Sequence, residues 1–236
     1  MVIGIWGCRG LLELIPPVKR PFYFDDSTLQ YPYMASIIPN WLLLLLALVF
    51  PFIVILVVKR KDRILYASQF LICVGIIESL TTILKVMVGR LRPFFIEICA
   101  IEYPNELSSY KHPLYTGNCL NESKVVDGRK SFPSGHSSMS FCGLGYLSLV
   151  LYYQFYKYGL FAHLASCLPL VLAFFISISR TLDNHHHFED VLVGIVLGSM
   201  GAIGFYTYFD KLTSKQVLPI ETSLLSEIQL TTLPQD

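Results

Sequence analysis

The sequence predicts an all-α integral membrane protein: a bundle of five transmembrane helices preceded by a short N-terminal helix. Three observations lead there. Hydrophobic residues make up 53% of the chain and charged residues only 15%, too little charge to coat a globule of 236 residues. The apolar residues are gathered into blocks of spanning length. The loops between those blocks differ in charge, as the two sides of a bilayer require. The net charge of +1 leaves no electrostatic footprint for nucleic acid, so no nucleic-acid partner is expected.

Residues 1–40 come first. "MVIGIWGCRGLLELIPP" is apolar but short and carries Arg9 and Glu13. It reads as a truncated helix, an interfacial helix or a re-entrant piece. It lacks the basic start and long apolar core of a cleavable signal peptide. Residues 17–40 are aromatic-rich and suit the interface. The first span is 41–58, uncharged, with Pro51 tolerable where neighbouring helices satisfy the freed carbonyl. The second, 64–84, carries Gln69 and Glu78. An ionisable group there is a functional candidate by default. Glu78 either orients Lys85 or another cation, or serves as a helix–helix hydrogen bond or a neutral acid. Spans three to five are 137–153, 160–178 and 191–209; the last holds Gly194 and Gly198 in the spacing that lets helices approach closely. Residues 41–210 form the expected core, and 211–236 read as a mobile cytosolic tail.

Lys59, Arg60, Lys61 and Arg63 crowd the first link, Lys157 marks the next link on that side, and Lys211 and Lys215 follow the fifth span. This face is therefore cytosolic. Residues 85–136 and 179–190 fall on the outer face. Asn121-Glu122-Ser123, the only N-x-S/T triplet in the chain, falls there too and makes Asn121 a glycosylation candidate. The loop 85–136 also holds seven Lys/Arg, which the positive-inside rule does not explain. Cys73, Cys142 and Cys167 lie in apolar blocks and read as small hydrophobes. Cys99 and Cys119 share the outer loop, where a disulfide and two free thiols are both open.

Three outer-face segments carry chemistry. "KVMVGRLRP" places Lys85 and Arg92 seven apart, two turns if the helix continues. In "RKSFPSGHSS", Ser134 and Gly135 stand just before a span, where backbone N–H groups at a helix N-terminus bind anions; His136 follows. In "SRTLDNHHHFED", Arg180 precedes three histidines and two carboxylates. Each segment alone has a bland reading: snorkelling cations, a turn, a surface histidine run. Together they supply cations, backbone donors, two separated histidines and carboxylates, the inventory of a phosphoryl-transfer site without metal or other cofactor.

These segments resemble the signature of the type-2 phosphatidic acid phosphatase superfamily, K-x6-R-P, P-S-G-H and S-R-x5-H-x3-D. Here they read Lys85–Arg92–Pro93, Pro133–Ser134–Gly135–His136 and Ser179–Arg180–His186–Asp190. The resemblance covers about residues 20–210 and is closest to the lipid phosphate phosphatase branch. It implies a phosphohistidine mechanism. His186 is the nucleophile, oriented by Asp190, which faces it at i+4 if the stretch is helical. His136 is the general acid and then base. Lys85, Arg92, Ser134, Gly135 and Arg180 bind the phosphate. His185 and His187 are then exposed or at the membrane edge. The implied substrates are phosphatidate, lysophosphatidate, ceramide 1-phosphate and sphingosine 1-phosphate, unranked by any residue. The implied setting is the plasma membrane or endoplasmic reticulum, with the site facing outward or into the lumen, and self-association left open. Members of this branch have six spans, and the first 40 residues supply only a shortened, charged fragment for the sixth. The alternatives are a non-catalytic scaffold or lipid-binding relative, and an isoprenoid diphosphate phosphatase using the same site.

Overall fold

The computed structural model describes residues 1–100, 114–115, 119–120 and 122–231; Asn121 lies outside the described residues. The architecture is helical, with one two-residue antiparallel pairing of β1 (Phe22–Tyr23) and β2 (Leu114–Tyr115). Among the described residues, four helices are long and apolar enough to cross a membrane by length and composition: Asn40–Val58, Arg63–Val88, Leu160–Leu182 and Phe188–Lys211.

The N-terminal piece is a short helix, α1 (Val2–Glu13), about 18 Å long at 1.5 Å per residue. It lies along α4 (Arg63–Val88): Trp6 Nε1 donates to the Leu71 carbonyl at 3.3 Å, and Ile5 and Trp6 fill the space beside Gly75. The first span consists of α2 (Asn40–Leu44) and α3 (Phe50–Val58), joined by a π-helical turn, Leu45–Val49. Pro51 has no N–H to donate, and the turn before it widens. The Ala47 carbonyl then packs where a Cβ on Gly143 would otherwise stand.

The expected third span is α7 (Gly135–Phe155), which is long enough but is not among the four apolar helices. The reason is its position. It is the central helix, packed by α4, by α8 (Leu160–Leu182) and by α9 (Phe188–Thr231). Its Ser137, Ser138, Ser140 and Ser148 are buried in protein, so it does not need an apolar surface. Lipid-type surface falls instead on the outer helices, as at Phe161, Val171 and Phe175 of α8 and Met200 of α9. The α9 backbone continues as helix through Thr231.

Gly194 and Gly198 let α9 meet α7 backbone to backbone. A Cβ on Gly194 would stand 2.6 Å from the Ser134 carbonyl oxygen, and one on Gly198 would run into the Ser138 carbonyl and lie 2.9 Å from the Cys142 nitrogen. Gly198→Val is therefore expected to force the two helices apart and cost about 3 kcal/mol or more. A large drop in melting temperature in detergent checks it. Gly204→Ala, placed in open space, is the control and is expected to melt no lower than the parent.

Above this bundle, α5 (Phe95–Cys99) and α6 (Glu122–Gly128) form a small cap around Phe22, Leu29, Leu91 and Phe95, stapled by a Cys99–Cys119 disulfide.

Candidate active site

Four helix ends converge under this cap: the C-termini of α4 and α8 and the N-termini of α7 and α9. They enclose a cavity of about 620 Å³. Lys85, Arg92, Gly135, His136, Arg180 and His186 all line it, although 101 positions separate the first from the last. Ser134 and Asp190 do not line it.

Lys85 and Arg92 arrive separately. α4 ends at Val88 with Gly89 in the left-handed conformation (φ 59°), so Arg92 sits in the following loop, not two helical turns on. Nothing but hydrogen fits at Gly89, because a Cβ there would strike the Val18 carbonyl. Arg92 is buried and fixed by Asp127, whose carboxylate it meets at 3.0 Å and whose carbonyl it bonds through Nε at 3.1 Å. Burial pushes the Arg92 pKa down, and Asp127 opposes that shift. Asp127 was not visible as a partner in the sequence, since it lies 35 positions away without a motif.

Ser134 is the N-cap of α7. Its Oγ accepts from Ser137 Oγ at 3.1 Å, and its N–H donates to the Asp190 carbonyl at 2.9 Å. It therefore shapes the helix start from below the cavity and does not offer its N–H there as expected. Gly135 does reach the cavity, and a Cβ at this position would lie 2.9 Å from Lys85 Nζ. Gly135→Ala is expected to displace that ammonium and lower kcat/KM by about 10–100-fold, the scale of a misplaced positioning group. Steady-state kinetics with a parental melting temperature would check it.

Arg180 closes the third segment from the last turn of α8. Its Nη2 pairs with Asp183, and its Nη1 donates to Ser36 Oγ at 2.7 Å and to the Ile38 carbonyl at 3.1 Å. Its Nε is buried with no partner among the described residues. Asp183 is fully buried; burial alone would raise its pKa, but bonds from His185 and Arg180 carry it well below the usual carboxylate range. The sequence reading missed Asp183. Its one signal is the i+3 spacing from Arg180.

His136 Nε2 lies 2.8 Å from the Ile38 carbonyl and 3.0 Å from Arg180 Nη1. Both hydrogens of that Nη1 are engaged elsewhere, so Nε2–H donates to Ile38 and the lone pair falls on Nδ1.

The histidine run separates cleanly. His186 is buried, and its Nδ1 donates to the Ser131 carbonyl at 2.7 Å. A carbonyl only accepts, so the proton is on Nδ1 and the Nε2 lone pair is free. Asp190 stands further from this ring nitrogen than the Ser131 carbonyl does. α9 begins at Phe188, so His186 and Asp190 are not stacked on one helix, and Nδ1 stands 3.8 Å from Asp190 Oδ2. Asp190 instead accepts from Ser131 Oγ (2.6 Å), Arg90 Nη1 (2.7 Å) and the His187 N–H (3.1 Å). It holds the residue that holds His186. Burial, then Arg92 and Lys85, push the His186 pKa down to about 3.

His185 and His187 are half-buried rather than exposed. His185 Nδ1 bonds the Asp183 carbonyl at 2.9 Å, its ring meets Phe94 edge-on, and it lines the cavity. His187 Nε2 bonds the Leu91 carbonyl at 3.1 Å. Glu189, the other carboxylate that follows the histidine run, is 66% exposed and paired with Arg90.

Glu78 faces the same cavity and meets Arg9 of α1 at 3.7 Å. Arg9 also pairs with Glu13, and Glu13 with Lys130 at 3.4 Å. The N-terminal helix thus contributes charged groups to the cavity wall, which its short length did not suggest.

The sequence profile of the PAP2 superfamily matches residues 66–214. Among similar proteins, a PA-phosphatase related-family protein of Dictyostelium discoideum is 36% identical over 92% of this chain and 80% of its own length. Diacylglycerol pyrophosphate phosphatase 1 of Saccharomyces cerevisiae is 34% identical over 80% of this chain and 71% of its own. Lipid phosphate phosphatase 2 of Arabidopsis thaliana is 35% identical over 84% and 71%. No solved structure matches.

Proposed function

The chain belongs to the PAP2 superfamily, and from that premise we propose that it is a membrane lipid phosphate phosphatase in which His186 Nε2 attacks phosphorus. The observation that carries this reading is the Nδ1–H bond from His186 to the Ser131 carbonyl, which leaves Nε2 unprotonated inside a cation-lined cavity. Lys85, Arg92 and Arg180 hold the non-bridging oxygens and offset the charge that develops on them. The Gly135 N–H adds a backbone donor at the start of α7. His136, anchored through Nε2–H, exchanges a proton at its Nδ1 lone pair: with the phosphate monoester bound as its monoanion, Nδ1 takes the phosphate proton and passes it to the leaving alkoxide, then takes a proton from the water that cleaves the phosphohistidine and returns it to the released phosphate.

Four apolar helices support the integral membrane placement. In this reading α7 is the fifth span, surrounded by the others. Residues 41–210 make the catalytic core, and 211–236 leave it on the cytosolic side. The basic first link supports a cavity that opens on the outer or lumenal face, at the plasma membrane or endoplasmic reticulum. Asn121 then faces the compartment where glycosylation occurs. Phosphatidate, lysophosphatidate, ceramide 1-phosphate and sphingosine 1-phosphate all place a phosphate monoester at the membrane surface, as this cavity requires. Removal of the glycan by an endoglycosidase from protein made in cells, with a mobility shift lost in Asn121→Gln, tests the orientation.

The His186 pKa gives a second test. An ordinary histidine near 6.5 would be about 97% protonated at pH 5. His186, pushed to about 3, stays neutral and nucleophilic there. The acid limb of kcat/KM, corrected for ionisation of the substrate, is therefore expected to stay flat from pH 7 to pH 5. A tenfold fall per pH unit below 6.5 would contradict it. The same shift has a stability sign. The unfolded histidine binds a proton below 6.5 and the folded one does not until about 3, so this group's contribution declines as pH falls through that window.

A further inference from the structure

Two of the cations that line the cavity have counter-ions of different kinds. Arg180 is paired with Asp183, and both are almost wholly buried. Asp183 is held from other sides too, by the Ile37 N–H at 3.2 Å and by His185. It is a fixed part of the wall. Arg92 is paired with Asp127, and here the burial is unequal: the guanidinium side chain is 9% exposed and the carboxylate side chain 69%. Asp127 lines the cavity. Among the described residues, its carboxylate has Arg92 as its only hydrogen-bond partner, at 3.1 Å from Nη2. An ion pair with one partner this open is weakly held.

The carboxylate is not needed to keep Arg92 in place. Arg92 Nε donates to the Asp127 carbonyl at 3.1 Å, and the Arg92 N–H donates to the Gly128 carbonyl at 2.9 Å. These carbonyls are the last of α6, which have no partner within the helix. Backbone bonds therefore fix the arginine, and the carboxylate can swing into the open cavity without releasing it. What the carboxylate adds is charge. A buried guanidinium needs a counter-ion when the cavity is empty. A phosphate is a second anion for the same guanidinium, and the two anions repel.

That competition matters most at the end of the cycle. Lys85, Arg92 and Arg180 face the inorganic phosphate left when the phosphohistidine is cleaved, just as they face the substrate. Binding that is equally strong for product and transition state does not help turnover, and product release limits many enzymes.

We propose that Asp127 competes with phosphate for Arg92, returning to the guanidinium as inorganic phosphate leaves, and so speeds product release. This rests on the phosphatase reading and adds a residue to the same site.

The test uses the purified full chain in detergent. It measures KM and kcat on short-chain phosphatidate, inhibition by inorganic phosphate, and the rise in melting temperature that inorganic phosphate brings. Asp127→Asn, nearly equal in shape and without charge, is expected to lower the inhibition constant for phosphate by about fivefold or more, the scale of two like unit charges about 4 Å apart in water-like surroundings. KM is expected to fall with it, and kcat not to rise. Phosphate is expected to raise the melting temperature of the variant more than that of wild type, a comparison that holds even if the variant starts lower. Asp127→Glu restores the charge and is expected to bring the inhibition constant back toward wild type. A role confined to orienting Arg92 has the opposite sign, because the variant would then bind phosphate more weakly. An inhibition constant that rises or stays unchanged in Asp127→Asn overturns the inference while leaving the phosphatase reading in place. So does a kcat that rises. No release from phosphatidate by folded wild type overturns that reading, and the inference with it.

Discussion

His186→Ala is expected to lower phosphate release from short-chain phosphatidate by more than ~10⁴-fold, the scale seen when a covalent nucleophile is removed. His185→Ala, assayed beside it with excess chelator, is expected to stay within roughly tenfold of wild type. The two rings are neighbours in sequence, but their surroundings differ. His186 is buried, with Nδ1–H committed to Ser131 and Nε2 left to the cavity that Lys85, Arg92 and Arg180 line. His185 has its Nδ1 tied to Asp183 and its ring against Phe94 and Tyr33, so it shapes the cavity rim. Equal losses in the two variants would contradict the assignment. So would activity that survives without His186.

Asp183→Asn is expected to have the second largest effect, on stability and turnover together. Asp183 is the only carboxylate paired with Arg180 among the described residues, and both are almost wholly buried. Its Oδ2 also accepts from the Ile37 N–H at 3.2 Å, which holds the segment carrying Ser36 and Ile38 against the site. Removing the charge leaves a buried guanidinium uncompensated, at about 3–5 kcal/mol. Through Arg180 and Ile38 it also loosens His136, so kcat/KM is expected to fall by about 10²-fold or more. Glu189→Gln is the contrast. That carboxylate is 66% exposed beside Arg90, and its loss is expected to change stability by less than about 0.5 kcal/mol. Thermal melts and kinetics on the same preparations separate the two. A parental melting temperature for Asp183→Asn would contradict the buried-pair account.

The contrast between Asp183 and Asp190 shows what the sequence could tell. The grouping of Lys85, Arg92, Gly135, His136, Arg180 and His186 was legible because each falls at a helix end or in the loop beside one on the same side of the bundle, and those ends can be read from hydrophobic blocks. How these residues are held was not. The Ser131 carbonyl, the Ile38 carbonyl and the Arg90 pairing to Asp190 are long-range or backbone contacts, and no residue type announces them. The i, i+4 argument for His186 and Asp190 assumed a helix that starts two residues later, at Phe188. The two-turn argument for Arg92 assumed one that had already ended at Val88. Four spans were legible as apolar blocks; α7 is distinct because a helix surrounded by other helices can be serine-rich. The role of α1 was hidden by its length. Arg9 and Glu13 argued against a span, whereas in the fold both line the cavity.

The most direct test of the account is to trap the intermediate. Full-length protein in detergent would be mixed with radiolabelled short-chain substrate and quenched in alkali within one turnover. The labelled peptide would then be mapped by mass spectrometry. The expected result is one acid-labile, alkali-stable phosphate on Nε2 of His186, absent from His186→Ala. Label on His136, His185 or His187, on Nδ1 of His186, or no covalent label in protein that turns over, would contradict it.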